Sequence, residues 1–107
     1  MNWYVAKLVF RITTAQAQTV GQFDEHLRLI RAESFEGAFR KARLIGIEEE
    51  DSCQDRPRWE FVNISELYPL EELKDGVEVY SRIHDIPQAQ NYINLVHLKA
   101  AELELAV

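Results

Sequence analysis

Trp3-Tyr4-Val5-Ala6-Lys7-Leu8-Val9-Phe10-Arg11-Ile12 is the stretch that decides the fold. Tyr4, Ala6, Leu8, Phe10 and Ile12 alternate with Trp3, Val5, Lys7, Val9 and Arg11, so one side of an extended chain is wholly apolar and the other is mixed. Successive strand side chains point to opposite faces, and a period of two predicts a strand with one buried face. A polar loop over 13–21 ends in Gly21 and leads to Phe23-Asp24-Glu25-His26-Leu27-Arg28-Leu29-Ile30-Arg31-Ala32. Here Phe23, Leu27 and Leu29 share one side, with Glu25 and Arg31 as its polar exceptions, and Asp24, His26, Arg28 and Ile30 share the other. The two segments predict an antiparallel hairpin. Setting Ile12 against Phe23, Leu8 against Leu27 and Ala6 against Leu29 also sets Arg11 opposite Asp24, a favourable cross-strand charge pair.

Working outward, Ser34 suits a helix N-cap and Glu36 the positive end of the helix dipole. Phe35, Ala38, Phe39, Ala42 and Ile45 follow at helical spacing, and Gly46 predicts the C-terminal stop. Glu48 to Arg58 reads as a charged loop, and Trp59 to Leu67 as a third strand with Trp59 and Phe61 on one face and Val62 and Ile64 on the other. Asp75-Gly76 is a turn signal, after which Val77 to His84 reads as a fourth strand. Pro87 stands near the start of a last helix, with Asp85 as N-cap, running to about Leu105. That helix carries Ile93, Val96, Ala100 and Leu103 on one stripe and Leu95, Leu98 and Leu105 on another, more apolar arc than one sheet face covers. The order β-β-α-β-β-α predicts an α+β fold in which a four-stranded antiparallel sheet carries both helices on one face. At 107 residues, the chain is expected to form a single domain over 1–107.

A formal net charge of -6 argues against phosphate backbones and against an anionic membrane surface, so neither nucleic acid nor membrane is expected as a partner. The single cysteine, Cys53, permits no internal disulfide and fits a reducing compartment. No signal-like N-terminus and no apolar run near the roughly 20 residues of a membrane span are found, so a cytoplasmic location is expected.

Four phrases carry a resemblance: Asn2-Trp3-Tyr4-Val5-Ala6-Lys7-Leu8-Val9-Phe10, Gln22 to Ile30, Phe61-Val62-Asn63-Ile64-Ser65-Glu66-Leu67-Tyr68, and Asp75-Gly76-Val77-Glu78-Val79-Tyr80-Ser81-Arg82-Ile83. Together they resemble the small bacterial proteins, often from Bacteroidetes, grouped as domain of unknown function 4288. The resemblance implies a stand-alone bacterial cytoplasmic domain of about this length, and it brings no activity, cofactor or catalytic residue.

Chemistry-bearing residues are sparse. Asp24, His26 and Arg28 share a strand side, as do Glu78, Tyr80, Arg82 and His84. If the second and fourth strands were close, Asp24, His26, Arg28, Tyr80, Arg82 and His84 would form a ligand-binding or acid/base site, with His26 oriented by a carboxylate. The simpler reading is a solvated sheet face, because side chains two apart on a strand are spaced too widely for triad-like contact. A two-histidine metal site at His26 and His84 lacks the compact spacing that metal motifs show. His97 reads as a boundary residue among leucines. The run Glu48-Glu49-Glu50-Asp51 lacks the spacing and glycine of a calcium loop. Its acidic surroundings disfavour a reactive thiolate at Cys53. Glycine-rich phosphate loops and nucleophile elbows are absent from the sequence. No catalytic residue, metal or cofactor is therefore expected.

One feature exceeds a plain monomer. Trp3, Val5, Val9 and Ile30 on the outer side of the first hairpin, with Leu95, Leu98 and Leu105 on the last helix, predict a contiguous apolar surface. The leading expectation is a non-enzymatic protein-binding or assembly module, homodimeric through that surface or bound to another protein. A small ligand-binding protein or enzyme around His26 and His84 is the alternative, and an antitoxin or immunity-type protein the second.

Overall fold

A computed structural model describes residues 1–13, 21–52 and 58–106. The elements are β1 (Asn2–Thr13), β2 (Gln22–Ala32), α1 (Phe35–Ser52), β3 (Arg58–Leu70) and α2 (Ala89–Leu105). The strands form an antiparallel sheet in the order β2-β1-β3, so the most apolar strand lies at the centre. Cys53, Asp55, Pro57 and most of the first hairpin loop lie outside the described residues.

The α+β class holds, and the hairpin register differs by one residue from expectation. Tyr4 pairs with Ile30, Leu8 with His26 and Phe10 with Asp24. A one-residue slip exchanges the faces of a whole strand. Ile30 therefore turns inward and is 1% exposed, while Phe23, Leu27 and Leu29 turn outward. Asp24 is not opposite Arg11, which pairs with Phe23. What selects this register is the inward side: Tyr4, Ala6, Leu8 and Phe10 join Ile30 and Ala32 in one buried cluster with Ala38 and Ala42 of α1.

Strand β3 holds two bulges. Phe10 pairs with Phe61 but Val9 with Asn63, and Leu8 pairs with Ile64 but Lys7 with Glu66. Val62 and Ser65 are thus the extra residues. Each bulge resets the alternation, so Phe61 and Ile64 both pack against the buried cluster and are not divided between faces. Val62 is left exposed.

Helix α1 starts as expected, with the Ser34 hydroxyl accepting a hydrogen bond from the Gly37 N–H at 3.1 Å. It does not stop at Gly46. Glycine serves there as a notch, since a Cβ at position 46 would overlap the Phe61 ring. The helix runs six residues further and converts the expected acidic loop into anchors: Glu50 accepts from the Phe61 N–H at 2.9 Å, and Glu49 lies 3.4 Å from Arg28.

The C-terminal third departs most from expectation. Residues 71–88 are irregular apart from the turn at Asp75-Gly76, where Gly76 has φ +81°, and no fourth strand forms over 77–84. The reason is visible at Tyr80, whose ring lies 6.0 Å from that of Tyr68 and 5.5 Å from Lys7 Nζ. The segment crosses over the sheet and does not extend its edge. Helix α2 does not share a face with α1: among the described residues no other element contacts it, and none of its residues is buried. Its N-cap position falls at Gln88, without a side-chain cap, in place of Asp85. The Cα radius of gyration is 17.3 Å, against roughly 13 Å for a compact chain of this length.

Candidate functional site

Two places could carry function: a polar corner beside α1, and the sheet face that α1 leaves open. The corner is built by the alternation of β2, which sends Asp24, His26 and Arg28 inward toward α1. Contrary to the spacing argument, the three touch. His26 Nε2 lies 2.8 Å from Asp24 Oδ2, and Arg28 Nη2 lies 3.0 Å from His26 Nδ1. Trp59 reaches from β3 across the central strand and donates to Asp24 Oδ2 at 3.0 Å. The His26 ring also packs on Phe10 at 4.7 Å.

This geometry fixes the proton positions. Arginine only donates, so Nδ1 of His26 must accept, and Nε2–H must donate to Asp24. Both ring nitrogens are thereby committed. The His26 bond, then the Trp59 bond, holds the Asp24 carboxyl below its ordinary range despite partial desolvation. A cleft of about 260 Å³ lined by Asp24, His26, Glu49 and Trp59 opens beside the network. The corner can accept a small polar ligand there, but a general base needs a free lone pair, which His26 lacks while Arg28 is bound to it.

The remaining predicted site residues lie elsewhere. Tyr80 sits against Lys7 and Tyr68 on the opposite side of the sheet from His26. His84 packs edge-on against Tyr92 of α2 at 5.8 Å, and Arg82 is exposed in the irregular segment. Among the described residues no group of three or more His, Cys, Asp or Glu side chains could hold a metal ion. Sequence reasoning missed Glu49 and Trp59. Trp59 and Asp24 are 35 residues apart, and nothing local links them.

The open face carries Trp3, Val5, Lys7 and Val9 of β1 with Phe23, Leu27 and Leu29 of β2. On its β1–β3 side Tyr80 lies against Lys7 and Tyr68, and Val5 is only 1% exposed. Lys7 bridges Glu25 at 2.7 Å and Glu66 at 3.6 Å, and the Glu25 bond raises its pKa. Burial raises that of Tyr68. The β2 side is bare: Phe23, Leu27 and Leu29 are 55%, 51% and 49% exposed. Arg31 stacks over Trp3 at 5.6 Å at one end of this face. Helix α2 adds a second uncovered apolar surface, with Leu95 and Leu98 about half exposed and Leu105 almost fully so.

A three-stranded antiparallel sheet with one face covered by α1, the other open along β2, and an apolar helix that touches no other element among the described residues defines a small α+β protein. Residues 3–81 match the family described as Domain of unknown function (DUF4288), and the chain belongs to that family. The matched span takes in the sheet, α1 and the Tyr80 segment; α2 follows it. Neither the curated proteins nor the solved structures yield a match to the chain. Among the described residues no helix is long and apolar enough to cross a membrane.

Proposed function

We propose that the chain is a cytoplasmic, non-enzymatic protein-binding module that assembles as a homodimer through the bare side of its sheet. The observation that carries this reading is the row Phe23, Leu27, Leu29, three large apolar side chains about half exposed on one strand face, beside Trp3 and Val9. Glu25, paired with Lys7, stands between Phe23 and Leu27 in this row, and large apolar side chains grouped in this way on a folded surface mark a contact surface. The leucines of α2, Leu95, Leu98 and Leu105, extend the same chemistry. Ile30 belongs to the core and takes no part. Light scattering across a range of concentrations tests the reading. A mass of two chains, reduced to one by Leu27→Glu with an unchanged circular dichroism spectrum, is the expected result. A strict monomer at high micromolar concentration would overturn it.

The cleft beside Asp24, His26, Glu49 and Trp59 favours a second reading, a small polar ligand seated against the histidine network. Binding there would perturb Trp59 fluorescence and the His26 ring signals. A screen of small carboxylates, amines and phosphates that moves neither would dispose of it.

A further inference from the structure

Resting on the assembly reading, we propose that the occupant of the bare sheet face is helix α2 of a second copy, exchanged reciprocally so that each chain lends its helix to the other. Two apolar surfaces that no other element covers among the described residues are complementary in kind. On a helical wheel Tyr92, Ile93, Val96, Ala100 and Leu103 fall within about 100° of arc, and every one of them is exposed. The sheet offers Phe23, Leu27 and Leu29, with Val9 beside them, to receive such a stripe, and Glu25 among them has its charge paired with Lys7.

Dimensions agree. Seventeen helical residues span about 25 Å, and the eleven residues of β2 about 36 Å, so the helix fits lengthwise along β2. Charges agree too. Arg31 and Arg11 stand near opposite ends of the face, and Glu102 and Glu104 close the C-terminal end of α2, so either direction of docking brings carboxylates to an arginine. A helix about 25 Å by 10 Å covers roughly 250 Å² on each surface. Two reciprocal contacts therefore remove on the order of 1,000 Å² from water before the tether is counted, the lower bound for a specific interface. Reciprocity gives a closed two-fold assembly that does not propagate.

The tether explains why the helix serves the other copy. Within its own chain the segment around Tyr80 already lies over Lys7 and Tyr68, and the exposed residues 81–88 carry α2 away from the sheet, with no contact to any element.

Complementation of two variants decides the matter. Leu27→Glu spoils the face and leaves the helix; Val96→Glu spoils the helix and leaves the face. Both sites are exposed, and circular dichroism checks that each variant folds. In an exchanged dimer each variant alone has no intact contact and should dimerise at least ~100-fold more weakly than the parent chain. Mixing them restores one intact contact, and a mixed dimer containing one of each should form, resolved by mass with one chain carrying a heavy-isotope label. If Val96→Glu alone dimerises like the parent chain, or if the mixture forms no mixed dimer, the exchange is wrong, while a dimeric parent chain keeps the assembly reading. A monomeric parent chain would overturn both.

Discussion

Replacing Gly46 with alanine sets two effects of known sign against each other. Inside an exposed helix the change should stabilise by about 0.5–1 kcal/mol, because glycine has the larger conformational entropy to lose. Here the added Cβ would meet the Cδ1, Cε1 and Cζ atoms of Phe61 well inside contact distance. The ring has little room to yield. It packs against the fully buried Phe10 at 5.6 Å, and its backbone N–H is held by Glu50 at 2.9 Å. Overpacking of this kind costs roughly 1–3 kcal/mol, so Gly46→Ala should be about 1–2 kcal/mol less stable than the parent chain. Urea unfolding followed by tryptophan fluorescence reads this as a lower midpoint at unchanged slope. Paired with Phe61→Leu, which shortens the obstructing group, Gly46→Ala should become neutral or stabilising, a coupling on the order of 1–2 kcal/mol. A single variant more stable than the parent, or no coupling, would refute the claim that Gly46 leaves room for the Phe61 ring.

Other measurements bear on the remaining contacts. Ser34→Ala removes the hydroxyl that caps the Gly37 N–H and should cost about 1 kcal/mol in the same assay. Tyr80→Phe deletes a buried hydroxyl with no partner among the described residues, so its midpoint should hold or rise by up to ~1 kcal/mol; a clear loss would mean that the hydroxyl is bonded. Asp24 has its folded pKa below the unfolded value of roughly 3.9, so its contribution is present above that pH and fades as pH falls through the folded value. Asp24→Asn should therefore flatten the loss of stability as pH falls below the ordinary carboxylate range, and an unchanged acid profile would count against the His26 and Trp59 bonds. Nitrogen NMR of His26 at neutral pH should show the Nε2–H tautomer, and an Nδ1–H signal would contradict the Arg28 contact.

How much of this was legible in the residues depended on whether the deciding information was local. The period-two runs of β1 and β2, the Ser34 cap and the turn at Asp75-Gly76 are written within a few positions and are found where the pattern puts them. Gly46 reads as a helix stop because its true reason lies fifteen residues away, in the Phe61 ring on β3. The bulges at Val62 and Ser65 were equally hidden, since they exist only relative to the pairing with β1. The hairpin register had the largest consequence. Two registers differing by one residue both place apolar groups on β2's inner side, and the Arg11–Asp24 charge pair favoured the wrong one. An exposed charge pair contributes at most about 1 kcal/mol. Burying Ile30 completely while giving Asp24 two donors contributes more than that, and so the chain settles in the register that buries Ile30. That same choice turns Phe23, Leu27 and Leu29 outward and gathers Asp24, His26 and Arg28 into one network. The exposed apolar row of β2 is thus a consequence of a well-formed core: the register that buries Ile30 is the one that turns Phe23, Leu27 and Leu29 to the other face.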